Sequence, residues 1–181
     1  MGNRKKCPNP NRRRSMNQRF AVTSFLVLLA LSAVFVWSTS GSLPSVVASH
    51  FDASGTANAF MPSSAYARGM LGVLIGVPGL TAFLPFALAR MGGRGLNIPN
   101  REYWLAPERI EESLVFLQQH CLVFASGLVV FLSYVHWLVV QANLRQPPLL
   151  ATSAIVAGLA VFLCATIVWL IVLYARFRKV A

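Results

Sequence analysis

Four long stretches of this chain carry no Asp, Glu, Lys or Arg, and this feature constrains the fold more than any other. The charge-free stretches are 20–51, 69–89, 113–144 and 146–175. About 20 mostly apolar residues are needed to cross the hydrocarbon core of a membrane, and each stretch contains that many. A soluble helical bundle would instead show polar faces at helical spacing, which these stretches lack. The sequence therefore predicts an all-α integral membrane four-helix bundle. The predicted spans lie near 20–38, 68–90, 119–142 and 150–175.

The basic residues are distributed unevenly among the segments outside these spans. Of the 16 lysines and arginines, 14 fall before the first span, between the end of the second span and the start of the third, or after the fourth. Only Arg68 and Arg145 fall elsewhere. Because basic residues accumulate on the cytoplasmic side of membrane proteins, we predict that both termini are cytoplasmic and that the outer loop 39–67 faces outward.

The net charge of +11 could also indicate a protein that binds nucleic acid. The charges follow the predicted topology, however, so we expect the lipid bilayer and its anionic headgroups as the partner, and no nucleic acid. The sequence divides into a basic cytoplasmic tail (1–19), a membrane domain (20–175) and a second basic tail (176–181).

Small residues at a spacing of four mark two of the predicted spans. Gly72 and Gly76 form a G-x-x-x-G pair in the second span, and Ala154 and Gly158 repeat the spacing in the fourth. Such pairs let neighbouring helices approach closely. We interpret both pairs as sites of tight packing within one bundle, with dimerisation as the alternative.

The cytoplasmic connection, 91–118, contains turn residues followed by signals of a helix start. Pro107 suits the first position of a helix, and the Glu108 carboxylate suits the positive end of the helix dipole. Tyr103 and Trp104 are expected at the level of the lipid headgroups. These features predict a short cytoplasmic interfacial helix that leads into the third span. The candidate site residues of the connection are Asn97, Pro99, Tyr103, Trp104, Pro107 and Glu108.

The outer loop contains a compact motif, HFDASGTANAFMPSS, over residues 50–64. Gly55 can adopt a positive φ, which favours a tight turn there. Asp52 is expected to pair with Arg68 across the loop, and the motif should form a structured cap on the outer mouth of the helices. The apolar residues expected to press back onto the bundle are Phe51, Phe60 and Met61.

The outer motif carries a family resemblance through Leu43, Pro44, His50, Phe51, Asp52, Gly55, Asn58 and Phe60. This order resembles a small bacterial integral membrane domain of unknown function. That domain also forms the N-terminal part of SdpI, the immunity and signalling protein for the sporulation-delaying toxin. The connection NIPNREYWLAPERIEESLVFL is similar to that of short family members. The family pattern usually has a proline where this chain has Ala48, and Ser-Lys where it has Ser63 and Ser64.

The resemblance implies a bacterial cytoplasmic membrane protein that is not an enzyme and that acts in toxin immunity or membrane signalling through its outer loop. Expected partners are an extracellular peptide or toxin and a cytoplasmic or membrane protein. An accessory subunit of a membrane transport complex is the alternative.

A metal-binding membrane protein is a weaker alternative. His50, Asp52 and His136 are of types that bind zinc, but H-x-D with one distant histidine is a weak pattern. His136 lies between Tyr134 and Trp137, and we interpret it as part of an interfacial aromatic belt. We therefore expect no metal, no cofactor and no catalytic residue.

Overall fold

The structure is a computed structural model that describes residues 10–93 and 95–179, with side chains from residue 16 onward. Most of the basic N-terminal tail, for which we predict contact with lipid headgroups, lies outside the described side chains. The helices are α1 (Pro10–Ser40), α2 (Ser63–Arg90), α3 (Arg101–Trp104), α4 (Ile110–Asn143) and α5 (Thr152–Arg178). The strands are β1 (Val46–Phe51) and β2 (Ala57–Pro62).

Four helices are long and apolar enough to cross a membrane: Met16–Ser40 within α1, and the whole of α2, α4 and α5. This confirms the predicted number of spans and supports a multi-pass membrane protein. The largest shift is in the third span, since α4 begins at Ile110 rather than near residue 119.

Helix α4 is the centre of the bundle and contacts α1, α2 and α5. The main buried cluster comprises Phe25, Val36, Leu74, Ala82, Leu122, Ala125 and Val129 from α1, α2 and α4. Helix α5 packs mainly on α4, and Phe177 is its one buried residue. Because most of its other residues are apolar and exposed, α5 is a peripheral helix suited to contact with lipid.

Two contacts show which helix ends lie together. Gln18 in α1 donates a hydrogen bond to Gln118 in α4, and Trp104 in the connection bonds to Phe177 near the end of α5. The beginning of α1 and the end of α5 therefore lie at the same end of the bundle as the 91–109 segment. We call this the connection end, and the opposite end, which carries the strands, the hairpin end.

The outer motif folds as an antiparallel β-hairpin of β1 and β2, so the all-α prediction is wrong at this point. Its register shifts on both sides of His50. In a typical half-buried strand, buried and exposed residues alternate. Here Val47 and Ala48 are consecutive, and both are fully buried. The sequence of β1, VVASHF, likewise lacks the alternation of apolar and polar residues that would have predicted a strand.

The connection between α2 and α4 differs from the predicted interfacial helix in where the helix starts. Pro107 and Glu108 lie in turns after α3, and α4 begins at Ile110. The reason is a tight turn in which the Ala106 carbonyl accepts the N–H groups of Arg109 and Ile110. Helix α4 is continuous from Ile110 to Asn143.

The two pairs of small residues behave differently. A Cβ built on Gly72 or Gly76 would meet nothing within 4 Å, so the prediction of tight packing within the bundle is wrong for α2. A Cβ on Gly158 would overlap the ring of Tyr134, whose hydroxyl donates to the Ala154 carbonyl at 2.8 Å. The prediction is confirmed for α5, where the missing side chain admits an aromatic ring from α4.

Candidate functional site

The turn of the hairpin is organised by one carboxylate. The Asp52 Oδ1 atom accepts hydrogen bonds from the Ser54 hydroxyl at 2.6 Å, the Ser54 N–H at 2.9 Å and the Thr56 N–H at 2.9 Å. The bond from the Ser54 hydroxyl contributes most to holding the pKa of Asp52 below its ordinary value. The predicted Asp52–Arg68 ion pair is not formed, because the carboxylate is committed to its own turn.

Gly55 connects the turn to the segment that precedes α5. Its φ is +87°, as predicted, and its carbonyl accepts the Leu150 N–H at 2.9 Å. A Cβ here would overlap the Leu150 carbonyl and would come within 2.9 Å of the Thr152 hydroxyl. Glycine is therefore required both by its backbone angle and by the close approach.

Asn143, the last residue of α4, holds β1 against the bundle. Its Oδ1 atom accepts the Ala48 N–H at 2.7 Å, and its Nδ2 donates to the Ala48 carbonyl at 3.0 Å and the Val139 carbonyl at 2.9 Å. The amide thus satisfies both backbone groups of a fully buried residue. A proline at position 48 would have no N–H to donate. The sequence analysis missed Asn143, although an amide at the end of an apolar stretch is a signal for such a contact.

The outward surface of the hairpin carries a polar pair and an aromatic ring. His50 is exposed, and its Nδ1 lies 2.7 Å from the Asn58 Oδ1. Phe60 is 56% exposed, so the prediction that it presses onto the helices is wrong, whereas Phe51 and Met61 are half-buried. Ahead of the hairpin, in the segment that leaves α1, Leu43 is half-buried and Pro44 is exposed.

His136 lies inside the bundle near the hairpin end and is fully buried. Its Nε2 is 2.8 Å from the Thr39 hydroxyl, and its Nδ1 is 3.0 Å from the Tyr66 hydroxyl. The Thr39 hydroxyl donates its proton to the Phe35 carbonyl at 2.7 Å, so it accepts from a protonated His136 Nε2. The Tyr66 hydroxyl is the hydrogen-bonding partner of Nδ1. This chain of hydrogen bonds joins α1, α2 and α4.

The position of His136 corrects the interpretation that it belongs to an aromatic belt. Trp137 beside it is 45% exposed and does face outward, but His136 faces inward with both nitrogens engaged. His50 and Asp52 lie on the hairpin and do not approach it. Over the described residues, no group of three or more His, Cys, Asp or Glu side chains is arranged to hold a metal ion.

At the connection end, Trp104 and Asn100 cap the end of α5. The Trp104 Nε1 donates to the Phe177 carbonyl at 2.9 Å, and the Asn100 Nδ2 donates to the carbonyls of Phe177 at 3.1 Å and Arg178 at 3.0 Å. Helix ends leave such carbonyls without partners inside the helix. Trp104 is only 6% exposed, so its ring is covered by protein rather than by lipid headgroups.

Charged side chains surround this aromatic contact. The Arg176 guanidinium lies 4.3 Å above the Trp104 ring and 2.6 Å from a Glu112 carboxylate oxygen. The Arg109 guanidinium lies 3.9 Å from the centre of the Tyr103 ring. The remaining predicted residues, Asn97 and Pro99, lie in the segment before α3, where Asn97 is exposed and Pro99 is half-buried.

Comparisons with family models, curated proteins and solved structures find no match to this chain. The resemblance to the SdpI-like domain therefore stays a prediction that rests on the residues of the hairpin and the connection.

Proposed function

We propose that this chain is a non-enzymatic protein of the bacterial cytoplasmic membrane whose hairpin faces outward and recognises an extracellular peptide or toxin. The observation that carries the proposal is the double attachment of the hairpin. Asn143 holds β1 through Ala48, and Leu150 holds the turn through Gly55. A plain connecting loop needs no such attachments, whereas a recognition surface gains affinity when it is ordered before binding.

The chemistry of the outward surface suits a peptide ligand. Asn58 and Phe60 lie two residues apart on β2, and both are exposed. An exposed aromatic ring beside polar groups is typical of protein-binding surfaces, in which aromatic residues supply most of the affinity. The His50–Asn58 pair adds hydrogen-bonding groups next to that ring.

The outward orientation of the hairpin rests on the distribution of basic residues and needs its own test. In a chain whose three native cysteines are replaced, Ser54→Cys and Glu108→Cys place thiols at exposed positions on opposite ends of the bundle. A membrane-impermeant thiol reagent added to intact cells should label position 54 and should reach position 108 only after permeabilisation. The reverse pattern would overturn the orientation.

The recognition role is tested with the purified sporulation-delaying toxin added outside bacteria that express this chain. We expect the expressing cells to survive better than cells that lack it, and the double variant His50→Ala/Phe60→Ala to lose the protection at an unchanged membrane level. Ala53→Ser, on the exposed turn, is the matched control and should protect fully. Equal sensitivity with and without the chain contradicts the immunity function.

An accessory subunit of a membrane transport complex is the second candidate. It is favoured by the glycine surface of α2, where Gly72 and Gly76 face open space and would allow another helix to approach closely. A photo-crosslinking residue at the exposed Val73 tests this role in cells. A specific adduct with a different membrane protein supports it, and crosslinks to lipid alone contradict it.

A further inference from the structure

A cleft of about 420 Å³ at the hairpin end separates the end of α1 from the beginning of α2. The α1 side contributes Trp37, Ser40 and the following Gly41, and the α2 side contributes Ser63, Ser64 and Arg68. The surface of the cleft is mostly apolar, but it includes three serine residues and one arginine, which distinguishes it from the surface of the spans. It lies apart from the exposed face of the hairpin, so its role does not depend on the recognition of a peptide.

The charge of the cleft is positive, and no described side chain neutralises it. Arg68 is exposed and takes part in no ion pair among the described residues. No carboxylate lines the cleft, and Asp52, the acid nearest in sequence, is engaged in the hairpin turn. An exposed guanidinium group without an ion pair can bind an anion, and the geometry of its N–H groups matches the oxygen atoms of phosphate.

Hydrogen-bond donors without partners also lie around the cleft. The Ser40 hydroxyl oxygen is buried and has no hydrogen-bond partner, although buried hydroxyl groups in folded proteins are nearly always paired. Helix α2 begins after Pro62 without a side-chain cap, and the Ser63 N–H bonds to the Ser45 carbonyl. The N–H groups of the next residues in the first turn lack partners within the helix, and the positive helix end favours an anion.

The depth of the cleft in a membrane follows from Trp37, which is 69% exposed near the end of the first span. Exposed tryptophans near the ends of spans sit at the level of the lipid headgroups. We propose that the cleft binds a phosphate group, carried either by a phospholipid headgroup or by free phosphate. Arg68 supplies the charge, and the Ser40 hydroxyl and the first turn of α2 supply neutral donors.

The test compares Arg68→Gln with Arg145→Gln, which removes the other basic residue predicted for this face. Purified protein in detergent is titrated with phosphatidylglycerol, and bound lipid is counted by native mass spectrometry. We expect Arg68→Gln to weaken lipid binding about tenfold, the loss typical of one charge-assisted contact, and Arg145→Gln to leave it unchanged. Equal effects of the two substitutions would overturn the proposal.

A second arm distinguishes the source of the phosphate group. Inorganic phosphate is added to delipidated protein, and the thermal unfolding temperature is measured against chloride at equal ionic strength. A rise that Arg68→Gln abolishes supports free phosphate as a ligand. Lipid binding that depends on Arg68, with no such rise, supports the headgroup. Absence of an Arg68-dependent effect in both titrations contradicts the proposal.

Ser40→Ala separates binding from folding. Without a ligand, this variant should be as stable as the wild type or more stable, since it removes an unpaired buried hydroxyl. With phosphatidylglycerol, we expect roughly threefold weaker binding because a neutral hydrogen bond is lost. Unchanged lipid binding would show that the hydroxyl faces no ligand and would count against the site.

Discussion

The two ends of the bundle both fasten a non-spanning segment to a helix, but they use different chemistry. At the hairpin end, the Asn143 amide bonds to the backbone of Ala48. At the connection end, the Trp104 indole bonds to the Phe177 carbonyl and packs on its ring, with centroids 5.7 Å apart. In each case a side chain of one segment bonds to the backbone of a fully buried residue in the other.

The difference lies in what each end leaves exposed. The connection end buries its largest side chain, Trp104, and the Arg176–Glu112 ion pair lies at its edge. The hairpin itself buries Val47 and Ala48 and leaves His50 and Phe60 exposed. Since Phe177 is the one buried residue of α5, the connection end holds that peripheral helix in place. The hairpin end presents a surface, and we predict that its attachment orders the hairpin more than it stabilises the helices.

The largest effect is predicted for the connection end. Trp104→Ala removes a buried indole, its contact with Phe177 and its hydrogen bond to the helix end. We expect a loss of about 3–5 kcal/mol in the free energy of unfolding, measured by denaturation in mixed micelles. Trp37→Ala is the control, since that ring is 69% exposed, and it should cost under about 1 kcal/mol. Similar losses for both would remove the distinction between the ends.

At the hairpin end, Asn143→Ala leaves the N–H and the carbonyl of Ala48 buried without partners. Each unsatisfied group costs about 1–3 kcal/mol, which the hairpin can avoid by detaching from the bundle. We therefore expect faster hydrogen exchange at the Ala48 N–H, with little change in the helices. The exposed Asn58→Ala is the matched control. If exchange at Ala48 stays slow, the amide is not what holds β1.

Between the two ends, α5 is held to α4 where Tyr134 occupies the space of a missing side chain at Gly158. Gly158→Ala should force these helices apart and cost about 1–3 kcal/mol. Gly76→Ala, with open space around it, should be neutral or stabilising by up to about 1 kcal/mol, because alanine favours the helix. Both free energies can be measured by the same denaturation. Equal effects would show that α5 is attached at its ends alone.

The four spans could be predicted because each depends on a local property, the length of an apolar stretch. The attachments could not, because their partners are far apart in the chain: Asn143 and Ala48 are separated by 95 residues, and Trp104 and Phe177 by 73. Trp104 looked like a headgroup anchor since tryptophan suits both an interface and a core. No local pattern reveals which of these environments a long-range contact will create.

The features of the candidate site that depend on neighbouring residues could be predicted, and those that depend on long-range contacts could not. Gly55 was identified from turn chemistry, which is local, and the structure confirms its positive φ. Phe60 and the Asp52–Arg68 pair depended on how the loop lies on the bundle, and both predictions failed. The carboxylate accepts hydrogen bonds within its own turn, from Ser54 and Thr56, and does not pair with a guanidinium group.

The smallest effect concerns Asp52, and it tests whether the turn is ordered independently of the bundle. Hydrogen bonds from Ser54 and Thr56 lower the pKa of Asp52 below its ordinary value of 3.8. A carboxyl group with a lowered folded-state pKa stabilises the fold above the unfolded-state pKa, and that contribution is lost as the pH falls through the folded-state pKa. The turn should therefore keep its full stability at neutral pH and loosen only below 3.8.

The amide signals of Ser54 and Thr56 report this change by NMR, since both N–H groups donate to the Asp52 carboxylate. We expect them to shift together below pH 3.8, while the Ala48 N–H, held by the amide of Asn143, does not respond. Asp52→Asn should abolish the shift, because an amide does not titrate in this range. A transition at or above 3.8 would mean that the bonds do not favour the charged carboxylate. A simultaneous shift of Ala48 would mean that the carboxylate turn and the strand held by Asn143 respond as one unit.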